Sequence, residues 1–508
     1  MGARGVLLLS IVGLACAEQA GPEPYRPRER DAAVAVPAMW RACGCDGGMP
    51  GGELMQLTHG PLLGAVSDRS IKVWARGDRA GSFVVRVWPS DEPDAVRCSA
   101  PVAVEPSLDM TGVAWLLELE PSTRYGYRLE VAGDDECSIA VTEDASFRTL
   151  PKEGEPARIR FAVGADVAGE SVPGFADMEA VAPDFVLMIG DNVYADGHAR
   201  HPLDFPADFD HAFLLGQKLY HEVWGSPQFE SLFSKVPVFM TWDDHELMEN
   251  YWRGRNDLIY DVGRTLYDSY QGSHNPSPLE RGELYYSFRA ADVGFFVFDT
   301  RTHRDGNMEP DDADKSMLGD AQRQAFEEWL VTDDSKVHVI VSSVIVGDFT
   351  TTGHDPWKSF KVERDAWLDL LAEHGTENTF VVSGDQHWSA ILHMEPGDDV
   401  PYSLYEFQCT PLAKTERHGP PRTDGSVVGL DATSRMKLGV FDIDTRVSPP
   451  RLDYTLCAVG EPCAPTMEPG PVQLEPIIDD DRTYPVATLP YSASFEGSER
   501  GFVRLPDE

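Results

Sequence analysis

Positive charge is what this sequence has least of: 43 Lys and Arg stand against 84 Asp and Glu, for a formal net charge of −41. Attraction by bulk charge to nucleic acid or to an anionic membrane is thereby excluded. Beyond the first apolar stretch no run is long enough to span a bilayer. Neither a P-loop nor a Gly-x-Ser-x-Gly motif stands out, which removes support for an NTP-driven motor or a serine hydrolase. Internal repeats and low-complexity tracts are missing too. Apolar material is plentiful: 42% of 508 residues are hydrophobic and 10% aromatic, enough for large packed cores, so global disorder is ruled out. Length alone suggests roughly two to four domains. The surplus carboxylates suit a solvating surface, a saline habitat or bound cations, and composition does not choose among these.

Residues 1–17 read as an export signal, with one positive charge near Met1, an apolar run from Val6 to Ala15, then small residues. Ala15-Cys16-Ala17 fits cleavage before Glu18, whereas Gly13-Leu14-Ala15-Cys16 resembles a displaced lipoprotein box, so a soluble exported product and a chain lipidated at Cys16 both stay open. The expected location is periplasmic, secreted or lipid-anchored at the bacterial cell envelope, with membrane association only through Cys16. Eight cysteines in an oxidising compartment are candidates for pairing. Connectivity is not fixed by sequence. Cys98 with Cys137, and Cys457 with Cys463, each lie within one local segment, and Cys43-Gly44-Cys45 alone is a weak metal signal.

Residues 18–55, rich in Pro, Gly and Arg, read as an extended arm or linker. Across 56–150 short alternating runs recur, such as Ile71-Lys72-Val73-Trp74, Phe83 to Trp88 and Tyr125 to Leu129, which is the pattern of a β-sandwich. Leu119-Glu120-Pro121-Ser122-Thr123-Arg124-Tyr125-Gly126-Tyr127 resembles the signature of fibronectin type III-like modules. After Pro151 apolar β-type runs alternate with helical stretches, Asp320 to Leu330 and Glu363 to Ala372 among them, which indicates an α/β domain over 151–450. A Pro- and Asp-rich extension, 451–508, has few regular runs and is expected on the outside.

Polar residues collect where the β-runs of that α/β domain end. Ile159 to Val163 leads to Gly164-Ala165-Asp166, Phe185 to Ile189 to Gly190-Asp191-Asn192-Val193-Tyr194, and Val238 to Trp242 to Asp243-Asp244-His245-Glu246. Later, Phe295 to Phe298 leads to Asp299-Thr300-Arg301, and Phe380 to Ser383 to Gly384-Asp385-Gln386-His387. Sites in α/β folds form where the carboxyl ends of strands converge. Carboxylates gathered there repel one another unless cations lie between them. Each motif has a structural alternative: Gly190-Asp191 also makes a strand-ending turn, and Asp243 with Glu246 also forms a capping box that would start a helix.

The ordered set resembles the alkaline phosphatase D family of calcineurin-like metallophosphatases over roughly residues 56–450. Its Gly-Asp-x-x-Tyr is matched by Gly190 to Tyr194, its Trp-Asp-Asp-His-Glu by Trp242 to Glu246, and its Ser-Gly-Asp-x-His by Ser383 to His387. Softer matches are Asp299-Thr300-Arg301, Leu318 to Gln322, and Asp355 to Phe360 with Glu363-Arg364. One departure stands out: the family's Gly-Ser-Cys is Gly164-Ala165-Asp166 here, a carboxylate in place of a thiolate. Purple acid phosphatases resemble this chain in using Asp there.

The resemblance implies a four-layer αββα fold and an exported metal-dependent hydrolase of phosphate esters. It also implies that Asp166, Asp191, Tyr194 and His387 surround one metal, while Asp191, Asp244 and Asp385 surround a second, with Asp191 bridging. Phenolate and carboxylates suit Fe(III) at the first, and the all-oxygen second set suits Ca(II), Mg(II) or Mn(II). Two ions about 3.5–4 Å apart hold a hydroxide and clamp phosphoryl oxygens. His245 would donate a hydrogen bond or proton to the ester or leaving oxygen. Arg301 would offer its fork to a phosphate oxygen, and Asn250 would be a further contact. Two other readings remain: a diesterase of phospholipase type, and a non-catalytic surface binding protein on the same scaffold.

Overall fold

Runs rich in β-branched and aromatic residues become strands where their alternate side chains meet a shared core. The computed structural model of the protein describes residues 36–37, 40, 43, 54–132, 138–167, 169, 172–196, 208–348, 355–374, 378–394, 404–414, 427–431, 435–463, 472–479 and 482–488. The expected export signal with Cys16, as well as Cys45 and Cys137, lie outside these. The N-terminal strands are β1 (Leu57–Gly64), β2 (Ile71–Gly77), β3 (Gly81–Pro89), β4 (Thr111–Leu116), β5 (Arg124–Ala132) and β6 (Ala145–Arg148). They divide between two sheets: β3, β5 and β6 lie in a six-stranded one, and β1, β2 and β4 in another. Val73, Val85, Val87 and Leu129 pack between them in one core.

The second of these sheets does not stop at the module's edge. Gly64 of β1 pairs in parallel with Val238 of β9 (Val238–Thr241), so the module's sheet runs on into β9, β8 (Phe185–Ile189) and β7 (Arg158–Gly164), within an 11-stranded whole. A seven-stranded sheet faces it, built from β10 (Tyr286–Ala290), β11 (Val293–Val297), β12 (Val337–Ser342), β13 (Thr379–Ser383), β14 (Ser389–Met394), β15 (Leu404–Cys409) and Val427–Asp431. Strands β11, β12, β13 and β15 are mutually parallel, as are β7, β8 and β9. Phe161, Phe185, Phe239, Phe295, Phe380 and Phe441 are buried between the two sheets, each contributing about 1.5–3 kcal/mol by leaving water.

Helices cover both outer faces. Phe209–Trp224 and Asp257–Tyr270 bury Tyr220, Trp224 and Leu266 against the first sheet, while Gly319–Thr332 and Lys361–Glu373 bury Phe326 and Trp367 against the second. Asp208 and Asn256 start the first pair by accepting backbone N–H bonds from His211 (2.9 Å) and Ile259 (3.2 Å). Among the described residues, no helix is long and apolar enough to cross a membrane.

Three expectations change. No helix follows Asp243, which enters a turn. The expected scarcity of regular runs beyond 450 does not hold for Arg451–Ala458, which pairs antiparallel with Lys437–Asp444 along eight residues and widens the large sheet. Finally, Cys98 bonds Cys43 rather than Cys137, with Cα atoms 5.4 Å apart, while Cys457 bonds Cys463 as its proximity suggests. Sheet pairing outranks closeness in sequence here. Val36–Pro37 pairs with β4, and the Trp40 ring stacks 4.1 Å from the Arg97 guanidinium, so this part of the arm is held beside Cys98.

Candidate metal centre

Strand ends from both sheets bring the carboxylates together. Gly190, at φ +113°, approaches so closely that an added Cβ would lie 2.6 Å from Cβ of Asp243. Gly384 sits against Ser343, Ala165 and Ile189, the last two from the opposite sheet. Asp166, Asp191, Asp385 and His387 all have left-handed backbone, with φ of 60°, 53°, 73° and 54°. Each turn thereby reverses the chain at once and aims its side chain across the strand ends.

Four groups share members among the described residues. Asp166, Asp191 and His387 form one; Asp191, Asp244 and His245 a second; Asp243, Asp244 and Asp385 a third; Asp196, His245 and Glu249 a fourth; within each, ligand atoms lie within 4.8 Å of one another. The Tyr194 hydroxyl lies 3.0 Å from Nε2 of His387, which is 3.5 Å from Oδ1 of Asp166. The expected first set therefore assembles. Of the second, Asp191 shares a group with Asp244, and Asp385 shares another with Asp244 and Asp243.

These carboxylates are buried without enough donors. Both oxygens of Asp166, Oδ2 of Asp191, Oδ2 of Asp243 and Oδ1 of Asp244 have no hydrogen-bond partner in the described structure. Burial, reinforced by Asp244, Asp243 and Asp166, pushes Asp191 well above the carboxylate range, against the pull of His245. Burial likewise raises Asp385 strongly, with Asp355, Asp243 and Asp244 adding to it. Unsatisfied anionic oxygens in a low-dielectric interior are the surroundings that bound cations relieve. The donor set of oxygens and one imidazole fits metal ions.

Around this cluster sits a support layer. Glu246 accepts backbone N–H bonds from Asp191 (3.1 Å), Asn192 (2.8 Å) and Asp243 (3.0 Å), clamping two turns with one carboxylate. One half of the capping box, Asp243 N–H to Glu246, thus exists without a helix, while Oδ1 of Asp243 accepts from Arg301 and Ser343 instead. Burial lifts Glu246 to about 7 despite the N–H bonds it accepts. His245 bonds through Nδ1 to Asp196 at 2.6 Å, and its Nε2 lies 3.6 Å from Glu249. Burial opposes its charge, but Asp244, Asp191 and Asp196 override that and push it up to about 12.

Arg301 departs from expectation. It is fully buried, its fork bonds both oxygens of Asp355 at 2.9 and 2.7 Å, and its Nε bonds Asp243 at 2.5 Å. With Nε and both terminal nitrogens each bonded to a carboxylate, it anchors the cluster. Asn250 supplies its backbone N–H to Asp244 and its amide to Glu249. It stands at the cluster as expected, with its amide already paired.

Sequence reasoning passed over Asp196, Glu249 and Asp355 as individuals. Asp355 lay inside a quoted motif, whose use is now apparent as the receptor for the Arg301 fork. Other soft motifs are braces too: Gln322 bonds Asp299 N and O, both at 2.8 Å, and Glu363 accepts from Ser316 and Met317. His303 pairs with Glu283 at 2.8 Å.

A model of PhoD-like phosphatases matches residues 161–438, the span that carries every one of these turns. The chain belongs to the PhoD-like phosphatase family. Alkaline phosphatase D of Bacillus subtilis (strain 168) is 27% identical over 191 residues, 31% of this chain and 33% of that protein, so the chain matches about a third of that relative's length. The PhoD structure aligns over 81% of this chain and 92% of its own, with a TM-score of 0.61 and 16% identity. Purple acid phosphatase PPD1 from yellow lupin (Lupinus luteus) seeds aligns over 78% and 71%, with a TM-score of 0.57 and 15% identity. At those identities the likeness speaks to fold: a mixed α/β, sheet-rich architecture shared by this PhoD-like phosphatase and both structures.

Proposed function

We propose that this PhoD-like phosphatase is an exported hydrolase of phosphate esters that works with a bridged pair of metal ions. The observation that carries the reading is the convergence of orphaned carboxylate oxygens from Asp166, Asp191, Asp243 and Asp244 in one buried place. Asp166, Asp191, Tyr194 and His387 would hold the first ion, and Asp191, Asp244 and Asp385, joined by Asp243, the second. Such ions supply Lewis acidity to phosphoryl oxygens and a water-derived nucleophile at neutral pH. Tyr194 and the carboxylates favour Fe(III) at the first site, and the oxygen donors Ca(II), Mg(II) or Mn(II) at the second.

His245 sits beside the cluster with Nδ1 fixed by Asp196, which leaves Nε2 to hold a proton near a leaving oxygen. Glu246 and Arg301 keep the turns in place, and the burial of Asp166, Asp191 and His387 excludes bulk water from their side of the site. The domain layout proposed is a signal over 1–17, an arm over 18–55, a fibronectin type III-like sandwich over 56–150, the phosphatase domain over 151–450 and an extension over 451–508.

Assays of a matched monoester and diester on metal-loaded protein test the proposal. Turnover of at least one, lost in Asp191→Ala together with metal, is the expected result. Inactivity on both would defeat the hydrolase reading, and preference for the diester would assign the diesterase alternative. An absorption band in the visible range, lost in Tyr194→Phe, checks iron independently; a colourless active enzyme rejects iron there.

A further inference from the structure

The segment Gln271–Asn275, just after helix Asp257–Tyr270, touches both ligand turns from behind. Strand β9, whose end carries Asp243 and Asp244, pairs with β8 along its whole length but meets β1 only at Val238. Its neighbour Met240 is left with edge groups facing away from β8. Asn275 answers both groups with one side chain: Oδ1 accepts Met240 N–H at 2.8 Å and Nδ2 donates to Met240 O at 2.7 Å, the two bonds a further strand would make, while the Tyr267 and Tyr286 hydroxyls also donate to Met240 O at 3.2 and 2.9 Å. Gln271 reaches the other turn. Its Oε1 accepts from Asn192 at 2.9 Å, and its Nε2 donates to Glu246 at 3.3 Å.

The N-terminal module holds this segment. On β2, Lys72, Trp74 and Arg76 share one face by their spacing of two. Lys72, 5% exposed as a residue, donates through Nζ to the carbonyls of Ser273 (3.2 Å) and Asn275 (2.5 Å), and Trp74 donates to Ser269 O at 2.8 Å. Arg76 pairs with Asp109, which also accepts from Tyr270. An ammonium on the carbonyls that follow a helix is favoured by the helix dipole. Burial nevertheless pushes Lys72 down to about 8, so its place there is costly. Gly64 allows the close approach: an added Cβ would lie 2.4 Å from His274 O.

We infer that Asn275 is a positioning residue for the metal-bearing turns, fixed in place by Lys72 of the N-terminal module, so that this module is part of the phosphatase site's scaffold. The inference rests on the proposed metal centre. Supports of this kind change metal affinity by about 10–100-fold when removed.

The test uses the full chain, comparing Asn275→Ala and Lys72→Met with Ile71→Ala, which truncates the adjacent residue of β2 on its opposite, core-facing side. Metal retention is read by chelator titration, turnover as separate kcat and KM, and stability by urea unfolding. Both test variants should release metal at about 10-fold lower chelator and lose kcat with KM nearly unchanged, whereas Ile71→Ala loses stability and neither of these. Should Asn275→Ala fail to fold, Lys72→Met carries the comparison. Wild-type metal retention in Lys72→Met, or the same release from Ile71→Ala, would overturn the inference. If the wild-type chain hydrolyses no phosphate ester, the proposed function falls while the titration still decides this point.

Discussion

Asp191 combines, in one residue, a left-handed backbone, near-complete burial and membership of two carboxylate groups. Such a conformation costs on the order of 1 kcal/mol and persists only where neighbours enforce it. Here Glu246 and the Asp243 turn do so. Arg301 illustrates the same economy of position. Replacing it with Lys should remove the bidentate bond to Asp355 and leave buried charge imperfectly paired, destabilising the fold by about 3–5 kcal/mol. The urea midpoint should fall and metal retention weaken, while KM for a phosphate ester stays near wild type. A large rise in KM with unchanged stability would restore the role of phosphate fork. His245→Ala should leave metal bound and lower kcat by about 10²–10⁴; metal loss in that variant would make His245 a ligand instead.

At the level of elements, β-runs and two helices were legible because their patterns are strong: Phe185–Ile189 is a continuous apolar strand, Val337–Ser342 a continuously buried one broken only by His338 before its last residue, and Gly319–Thr332 follows its expected helix. The ligand turns were legible because each follows such a strand. Helices Phe209–Trp224 and Asp257–Tyr270 were passed over, although Asp208 and Asn256 cap them, because their buried faces include glycine and tyrosine, Gly216 and Tyr220 in one and Gly263, Tyr267 and Tyr270 in the other. The disulfide partner of Cys98 was illegible, since the pairing of Val36–Pro37 with β4 is a long-range event.

One element contact is pH-sensitive. His59 of β1 bonds the His221 carbonyl at 3.2 Å, and burial, with His221 adding, lowers it from 6.5 to about 4. Between those values the unfolded chain binds a proton that the folded chain refuses, so stability is present above about 6.5 and is lost as pH falls towards 4. The loss should be on the order of 2 kcal/mol. Urea midpoints at pH 7.5 and 4.5 should separate less in His59→Gln than in wild type; equal separation would refute the assignment.

For the whole molecule, a net charge of −41 need not repel an anionic ester. Distant carboxylates are screened within about 8 Å at physiological ionic strength, and bound ions would dominate locally. The shared sheet joins the N-terminal strands to the rest of the chain through β1 and β9, so isolated residues 151–508 should uncover β9 at Val238 and the apolar core that Leu62 and Trp74 cover. Such a fragment should aggregate where the full chain stays soluble, as size-exclusion chromatography will show. A soluble, fully active fragment would contradict this.

If buried carboxylates meet around bound ions and these ions drive hydrolysis, metal content and turnover rise and fall together. Elemental analysis of purified full-length protein, paired with phosphate-ester turnover and repeated on Asp191→Ala, decides this. Two ions per chain are expected in the wild type, with metal and activity lost together in the variant. Full metal content and full rate in Asp191→Ala would contradict it.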